Sequence, residues 1–174
     1  MCIRDSHSSF AGLKAKDAIV DRFRSQTGDR PSVGRVGPDV PVHIHIYYDT
    51  IRVYLDSSGE SLHKRGYRLA AAHAPINEVL AAGIILHSKW NGGMPVLDPM
   101  CGSGTFLVEA ALIAHNMPAN VYRDSFGFTK WLDYDAELYE TIKNGMLKRA
   151  KEYDGKIFGR DLDTFALDAA ADNI

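Results

Sequence analysis

One segment combines an acid, two close glycines and the start of an apolar helix, in the order expected of a ligand-binding turn. It is the stretch VLDPMCGSGT at residues 96–105, in which Asp98 ends a short apolar strand and Gly102 and Gly104 form the turn. Because glycine has no Cβ, the main chain can turn sharply there and a ligand can approach it closely. The helix that follows directs free N–H groups and a partial positive charge at the same place, which suits a carboxylate, whereas Asp98 suits an ammonium group.

A second acid, Asp161, ends the short predicted strand Lys156–Asp161, and Leu162 follows it. In nucleotide-binding doubly wound sheets, an acid at the end of the second strand accepts hydrogen bonds from ribose hydroxyls. Leu162 adds an apolar wall for an adenine ring, so the two acids together suit S-adenosylmethionine. A pyrophosphate suits the turn less well, because the spacing is not GxGxxG, no lysine follows the turn and Asp98 would repel phosphate.

The motifs in this order resemble a known family. LDPMCGSGT, residues 97–105, is similar to the first motif of class I S-adenosylmethionine-dependent methyltransferases, in the form found in RNA methyltransferases that carry a THUMP domain. LDSSGESLHKRGYR at residues 55–68 and APINEVLAAGII at residues 74–85 resemble the junction between the THUMP and catalytic domains of that group. Within it, the chain is most like the bacterial enzymes that methylate guanine N2 in 23S rRNA, from about Phe10 to Ile174.

The resemblance implies a cofactor, S-adenosylmethionine, and a partner, structured RNA held with the help of the THUMP module. It assigns Asp161 to the ribose of the cofactor and Leu162 to its adenine. The methionine side is assigned to five residues of the first motif, Asp98, Gly102, Ser103, Gly104 and Thr105. Residues 116–155 correspond to an insertion that family members carry between the first two strands. This explains why Asp161 lies farther from the turn than the usual 20 or so residues.

The expected fold class is α/β, the N-terminal half of a Rossmann-like, doubly wound parallel sheet, preceded by the C-terminal part of an α+β THUMP domain. The predicted boundaries are a non-native leader at 1–6, the THUMP part at 7–56, a linker at 57–73 and a truncated S-adenosylmethionine-binding domain at 74–174. The helical pattern that begins at Asp163 has no stop signal, so we expect a fragment of a longer protein.

Local patterns predict the elements that position these residues. Helices are expected at Lys14–Gln26, Pro75–Trp90, Thr105–His115 and Asp135–Lys151, and strands at Val42–Tyr48, Ile51–Asp56, Met94–Asp98 and Lys156–Asp161. The first two strands alternate apolar and polar residues, which is typical of half-buried strands. Only Asp49 and Thr50 separate them, so the pattern predicts a hairpin.

Methyltransferases of this group grip the acceptor amino group with an Asn/Asp-Pro-Pro-Tyr motif, and no Pro-Pro pair occurs in the 174 residues. No catalytic residue is therefore assigned, and we expect the chain by itself to be inactive. The reaction implied for the intact enzyme is methylation of guanine N2 in 23S rRNA during ribosome maturation. The alternatives are a THUMP-bearing tRNA guanine methyltransferase and a non-catalytic RNA-binding scaffold.

Composition excludes several other classes of protein. With 45% hydrophobic and 24% charged residues, the chain is neither disordered nor membrane-spanning, and no signal peptide is evident. Its longest apolar stretch, residues 79–86, is far shorter than the roughly 20 residues needed to cross a bilayer. Two cysteines, Cys2 and Cys101, cannot form a disulfide scaffold, so a reducing cytoplasm is the expected location.

A cationic cluster in the predicted linker, His63, Lys64, Arg65 and Arg68, is the candidate RNA-binding group. Three fixed cations beside Tyr67 suit contact with RNA phosphates, although a solvated linker has the same composition.

Other chemistry-bearing residues favour structural roles. His43 and His45 share one strand face, and two ligands without a third seldom hold a metal, so no metal is expected. Cys101 is interpreted as a small residue of the turn and not a nucleophile. Acids in the insertion, Asp124, Asp133 and Asp135, are expected to cap helices or face solvent. The aromatic residues Phe126, Phe128 and Trp131 are expected to anchor the insertion, with base stacking as the alternative.

Overall fold

The structure is a computed structural model, and it describes residues 8–34, 37–70 and 74–174. The chain divides into two compact units, Met1–Ser57 and Ser58–Ile174, and each has its own secondary structure. The predicted leader at residues 1–6 lies outside the described residues.

The first unit contains one helix and one hairpin. Helix α1 spans Ser8–Thr27, and strands β1 and β2 span Val42–Tyr47 and Thr50–Leu55. The helix begins six residues before the predicted start, and it ends beside Gly28 as expected. Gly28 has a φ of +81° and donates its N–H to the Arg24 carbonyl at 3.0 Å, an αL termination that favours glycine.

The hairpin has one apolar face and one polar face. Its strands pair antiparallel, with Ile44 opposite Val53 and Ile46 opposite Ile51, so these side chains share the apolar face. The expectation of half-buried strands is wrong within the described residues, because Ile51 and Val53 are 65% and 59% exposed. Only Ile44 on this face is partly covered. Alternation identified the strands correctly, but it does not say whether another layer covers the apolar face.

The second unit contains a short parallel sheet with helices around it. Its elements in chain order are α2 at Glu78–His87, β3 at Val96–Asp98, α3 at Thr105–Ala114, a 3₁₀ helix at Gly127–Lys130, α4 at Ala136–Leu147, β4 at Ile157–Gly159 and α5 at Thr164–Asn173. All the predicted helices and strands of this region are present, and each is shorter than predicted at one or both ends.

Side-chain caps explain where three of these helices begin. Asn77, Asp135 and Asp163 each accept a hydrogen bond from a main-chain N–H of the first turn, before α2, α4 and α5 respectively. Such caps satisfy N–H groups that have no partner within the helix. Because Asn77 is the cap, α2 begins at Glu78 and not at the predicted Pro75. The cap formed by Asp135 confirms the capping role expected of that acid.

Strands β3 and β4 pair in parallel, with Val96 opposite Ile157 and Asp98 opposite Gly159. The sheet of the described second unit has these two strands. The structure thus confirms two parallel strands of the predicted doubly wound sheet. Because the strands are parallel, their carboxyl ends lie at one edge, where Asp98 ends β3 and Asp161 follows shortly after β4.

Helix α3 forms the centre of the second unit. Val108 and Leu112 are buried and pack with Tyr67, and Met117 and Val121 pack against them. On the sheet side, a Cβ on Gly159 would lie 2.5 Å from Leu107 Cδ1, so glycine permits a close approach there. No helix in the described ranges is long and apolar enough to cross a membrane.

Candidate ligand-binding site

The two predicted acids lie at adjoining strand ends. After β3 the Asp98 carbonyl accepts a hydrogen bond from Arg160 N–H at 2.9 Å, and the Arg160 carbonyl accepts one from Cys101 N–H at 2.8 Å. These bonds extend the parallel pairing beyond the strands and bring the turn after Asp98 against the residues that lead to Asp161. The prediction that both acids belong to one edge of the sheet is consistent with this geometry.

The Asp161 carboxylate is bonded to the glycine turn itself. Its Oδ2 accepts a hydrogen bond from Gly102 N–H at 2.8 Å, and its Oδ1 accepts one from Asp163 N–H at 3.0 Å. Main-chain N–H donors of Asp163, Gly102 and Leu162 lower the pKa of Asp161 below its usual value. Asp161 is therefore ionised near neutral pH, and its carboxylate, with about four acceptor sites, can accept a further hydrogen bond.

Asp98 has one satisfied and one unsatisfied oxygen. Its Oδ1 accepts a hydrogen bond from Met100 N–H at 3.1 Å. Its Oδ2 is buried and has no hydrogen-bond partner among the described residues. Buried polar atoms are nearly always paired, so this oxygen is suited to a ligand that brings a donor.

The two glycines of the turn serve different purposes. Gly102 has a φ of +52°, and a Cβ there would meet no atom within 4 Å, so open space lies beside the turn. Gly104 has a φ of +81°, and a Cβ there would lie 3.2 Å from the Ala170 Cβ. Gly104 thus lets α3 begin close against α5, whereas Gly102 leaves room for a ligand next to the first N–H groups of α3.

Ser103 and Thr105 are buried, with exposures of 3% and 4%, and their hydroxyls contact Arg68 and not solvent. The predicted methionine-side wall therefore cannot consist of these two hydroxyl groups in this conformation. The turn can offer a ligand its main-chain atoms, its open side at Gly102 and the Asp98 carboxylate.

Asn173 supports the turn, although it is not among the residues predicted from the sequence. Its Oδ1 accepts hydrogen bonds from Leu69 and Ala70 N–H at 2.7 and 3.0 Å. Its Nδ2 donates to the carbonyls of Ala70 and Ser103 at 2.8 and 3.0 Å. The amide thus ties the end of α5 to both the linker and the turn. The sequence does contain a signal for this role, because helical spacing puts Asn173 on the same face of α5 as the buried alanines Ala166, Ala169 and Ala170.

Apolar side chains stand exposed near the acids. Leu162, the predicted adenine-facing residue, is fully exposed, and Met100 and Phe165 are 82% and 66% exposed. Exposed large apolar residues that flank polar groups are typical of ligand sites and interfaces.

Cys101 has the structural role predicted for it. It is 7% exposed, and burial together with the nearby Asp98 and Asp161 carboxylates raises the pKa of its thiol. A raised pKa disfavours the thiolate, which is the reactive form.

The linker cations divide into two pairs. Arg65 is 8% exposed and contacts the buried Glu109, with Nε and Oε1 3.3 Å apart, and Arg68 contacts Glu78 at 2.9 Å. These internal partners argue against the predicted phosphate contacts of Arg65 and Arg68. Lys64 is exposed and pairs with Glu60, and His63 contacts Ser61.

Burial raises the pKa of Glu109, although its ion pair with Arg65 and its hydrogen bond from the Tyr67 hydroxyl oppose this. The carboxylate is thus held in the protein interior by two residues of the linker.

Arg123 of the insertion organises the exposed part of the linker. Its guanidinium donates hydrogen bonds to the carbonyls of four linker residues, Ser58, Glu60, Ser61 and Lys64. It also lies over the Phe126 ring, 5.1 Å from the centroid. Phe126 and Phe128 stack 5.4 Å apart, and both contact Tyr139. The aromatic residues of the insertion therefore pack mainly on one another.

An apolar cavity of about 690 Å³ lies between the linker, α3 and α5, lined by residues such as Tyr67, Leu107 and Ile174. Neither the glycine turn nor Asp161 lines it. The candidate site is therefore the open edge of the strands and not this cavity, because the glycine turn and the two predicted acids meet at that edge.

No group of three or more His, Cys, Asp or Glu side chains in the described ranges is placed to hold a metal ion. His43, on the polar face of the hairpin, contacts Asp56 at 3.1 Å.

Two family comparisons cover nearly all of the chain. Residues 65–174 match the RMKL-like methyltransferase domain, and residues 2–56 match the THUMP domain. Residues 57–64 lie between these matches, and they include the four carbonyls to which Arg123 donates hydrogen bonds.

Solved structures agree with these matches. The chain is 40% identical to SMU.472, a protein assigned as a methyltransferase and crystallised with SAH, with a TM-score of 0.78. It is 34% identical to a protein described as a methylase from Clostridium difficile 630, with a TM-score of 0.80. It is 33% identical to a predicted N6-adenine-specific DNA methylase from Listeria monocytogenes str. 4b F2365, also with a TM-score of 0.80.

The alignments cover 93%, 91% and 91% of this chain, but 42%, 41% and 42% of those proteins. The chain thus spans about two fifths of the length of each.

Proposed function

Since the chain belongs to the family of RMKL-like methyltransferase domains, we propose that its two strand-tip acids bind S-adenosylmethionine. The observation that carries the proposal is the arrangement of Asp98, with an unpaired buried oxygen, and Asp161, ionised and bonded to the intervening turn. Support comes from SMU.472, which is 40% identical to this chain over the aligned region and was crystallised with SAH.

The residues at the turn fit the amino-acid end of this cofactor. Asp98 Oδ2 lacks a donor among the described residues, and an ammonium group would supply one. The first N–H groups of α3, which begins at Thr105, provide a partial positive charge for the carboxylate. The space beside Gly102 leaves room for both groups.

Asp161 and Leu162 fit the nucleoside end. Asp161 accepts hydrogen bonds from the main-chain N–H groups of Gly102 and Asp163, and its two oxygens together keep acceptor capacity for ribose hydroxyls. The exposed Leu162 side chain can cover one face of an adenine ring. Binding there would remove apolar surface from water, which is favourable.

Bound at this edge, the cofactor supplies an electrophilic methyl group. The residues of this chain bind and orient it, and positioning of the reactants is the main contribution expected of them. No acceptor-site Pro-Pro pair occurs in the sequence, so we assign no catalytic residue here. Methyl transfer is proposed for a chain that carries both this edge and an acceptor-site motif.

The proposed acceptor is an exocyclic amino nitrogen of a nucleic-acid base, and guanine N2 in 23S rRNA is our first choice. The THUMP match at residues 2–56 supports an RNA partner, either rRNA or tRNA. The exposed Lys64 and the half-buried His63 are proposed to contact it. Adenine N6 is the second candidate, because the Listeria relative is a predicted N6-adenine-specific methylase.

Calorimetric titration with S-adenosylhomocysteine (SAH) tests cofactor binding. We expect measurable binding, and a loss of at least about tenfold in Asp161→Ala, because each hydrogen bond to a charged group contributes about 1.5–3 kcal/mol. Asp168→Ala, at an exposed position of α5, is the matched control and should bind as the wild type does. Absence of heat at millimolar SAH would contradict the proposal and favour a non-catalytic RNA-binding scaffold.

Radiolabelled methyl transfer tests the acceptor, with a chain that includes the acceptor-site motif. The substrates are undermodified 23S rRNA, tRNA and adenine-containing DNA. We expect incorporation into guanine of 23S rRNA. Incorporation only into tRNA guanine, or only into DNA adenine, would replace this acceptor with the corresponding alternative and leave the proposed cofactor intact.

A further inference from the structure

Arg68 of the linker lies directly against the residues that form the glycine turn. Its Nη1 donates a hydrogen bond to Ser103 Oγ at 3.3 Å and its Nη2 donates one to Thr105 Oγ1 at 3.1 Å. On the other side, the guanidinium contacts the Glu78 carboxylate at 2.9 Å and the Ile76 carbonyl at 3.3 Å. One side chain therefore joins the linker, the start of α2 and the turn.

The partners of Arg68 are held in the interior. Glu78, Ser103 and Thr105 are 6%, 3% and 4% exposed, so a hydrogen bond lost from any of them would not readily be replaced by water. An arginine carries five N–H donors in one rigid plane and can satisfy several acceptors in fixed directions. A lysine would keep the charge of this position, but its single ammonium cannot reproduce the same fork.

These contacts determine which atoms of the turn can face a ligand. Because the hydroxyls of Ser103 and Thr105 are bonded to Arg68, the side chains are held inside and the main chain between them is fixed. That main chain contains Gly104 and the beginning of α3, where the proposed carboxylate-binding N–H groups lie.

We propose that Arg68 is a positioning residue for the amino-acid half of the cofactor site. The inference rests on the proposed binding of S-adenosylmethionine. Arg68 contacts no residue of the proposed nucleoside half, where Asp161 is held by its own bonds to Asp163 and Gly102. A change at Arg68 should therefore affect the two halves of the ligand unequally.

The experiment compares two ligands that share a nucleoside. SAH carries the amino-acid group, and 5′-methylthioadenosine lacks it. We expect Arg68→Lys to weaken SAH binding about tenfold or more and to change 5′-methylthioadenosine binding less than twofold. Arg68→Ala should weaken SAH binding further than Arg68→Lys does. The affinity that the lysine variant keeps relative to the alanine variant would then measure the contribution of the positive charge.

Arg65→Lys is the matched control. Arg65 is a buried linker arginine, and its ion pair with Glu109 does not involve the turn. We expect the ratio of the two affinities to stay at its wild-type value in this variant, even if its melting temperature falls. Melting temperatures of all the variants, measured without ligand, identify those that do not fold.

Several results would overturn the inference. An unchanged SAH affinity in Arg68→Lys, an equal loss for both ligands, or the same change of ratio in Arg65→Lys would each contradict a positioning role. If Arg68→Ala does not fold, the lysine variant decides between these outcomes. If the wild type binds neither ligand, the proposed function itself fails and the inference fails with it.

Discussion

Asp161 accepts a hydrogen bond from the Gly102 N–H at 2.8 Å, although 59 residues separate them in the sequence. The bond fixes the end of the second parallel strand against the turn that follows the first. Through it, the acid proposed to bind ribose also helps to shape the turn proposed to bind the amino-acid group. The two parts of the candidate site are thus already joined without a ligand.

The pH dependence of stability tests the ionised state of Asp161. Main-chain donors, Asp163 N–H first and then Gly102 N–H, hold the pKa of this carboxyl below its usual value. A depressed pKa in the folded state stabilises the fold above the pKa of the unfolded state, and this contribution disappears as the pH falls through the folded pKa. We expect Asp161→Asn to be less stable than the wild type at pH 7, with the difference shrinking below about pH 4.

Urea unfolding at pH 7, 5 and 3 measures this difference. Asp168→Asn, on the exposed side of α5, is the control for the loss of one negative charge. A difference between the wild type and Asp161→Asn that is the same at all three pH values would contradict the assignment.

The two turn glycines should respond differently to alanine. Both have a positive φ, but the added Cβ meets open space at Gly102 and lies 3.2 Å from Ala170 Cβ at Gly104. We expect Gly104→Ala to lower the free energy of unfolding by about 3 kcal/mol, from strain and overpacking together, and Gly102→Ala by about 1 kcal/mol. Gly102→Ala should instead weaken SAH binding, because its Cβ enters the space left for the ligand.

Urea denaturation and SAH titration of both variants separate these effects. Equal losses of stability would contradict the packing difference between the two glycines. An SAH affinity unchanged in Gly102→Ala would show that the space beside Gly102 is not part of the site.

The Arg65–Glu109 pair should behave as a buried ion pair. Its side chains are 10% and 2% exposed, so removal of one partner leaves a buried charge, which typically costs about 3–5 kcal/mol. We expect Arg65→Met and Glu109→Leu each to lose about this much, and the double variant to lose less than either single variant. A double-mutant cycle measured by urea unfolding gives the coupling free energy.

The exposed pair Lys64–Glu60, with side chains 58% and 70% exposed, is the comparison. Its coupling should be below about 1 kcal/mol. If the losses of unfolding free energy in Arg65→Met and Glu109→Leu simply added in the double variant, the interpretation that Arg65 and Glu109 depend on each other would be contradicted.

Local sequence predicted the strand, turn and helix of the candidate site. The order strand, Asp98, glycine turn, helix depends on neighbouring residues, and the structure forms it with α3 beginning at Thr105 as expected. The placement of Asp161 followed from a topological regularity, since parallel strands end at one edge. The roles of Asp135 and Cys101 also followed from local chemistry.

The supporting residues were beyond such patterns. Arg65 and Arg68 lie in a polar segment whose composition suggests an exposed cationic surface. Only the fold shows that Arg65 pairs with Glu109 and that Arg68 pairs with Glu78. Helical spacing places Asn173 on the alanine face of α5, but it does not reveal the four hydrogen bonds, because their partners lie 70 to 104 residues away in the turn and the linker. Exposure of the hairpin likewise depends on what packs against it and not on its alternation.

The affinities of SAH and 5′-methylthioadenosine for Asp98→Asn and Asp161→Asn test most directly whether the two acids serve opposite ends of one ligand. Asp98→Asn should weaken SAH binding about tenfold or more, equivalent to about 1.4 kcal/mol, and leave 5′-methylthioadenosine binding within twofold. Asp161→Asn should weaken both. If Asp98→Asn weakened both ligands equally, or Asp161→Asn weakened neither, the two carboxylates would not divide the ligand as proposed.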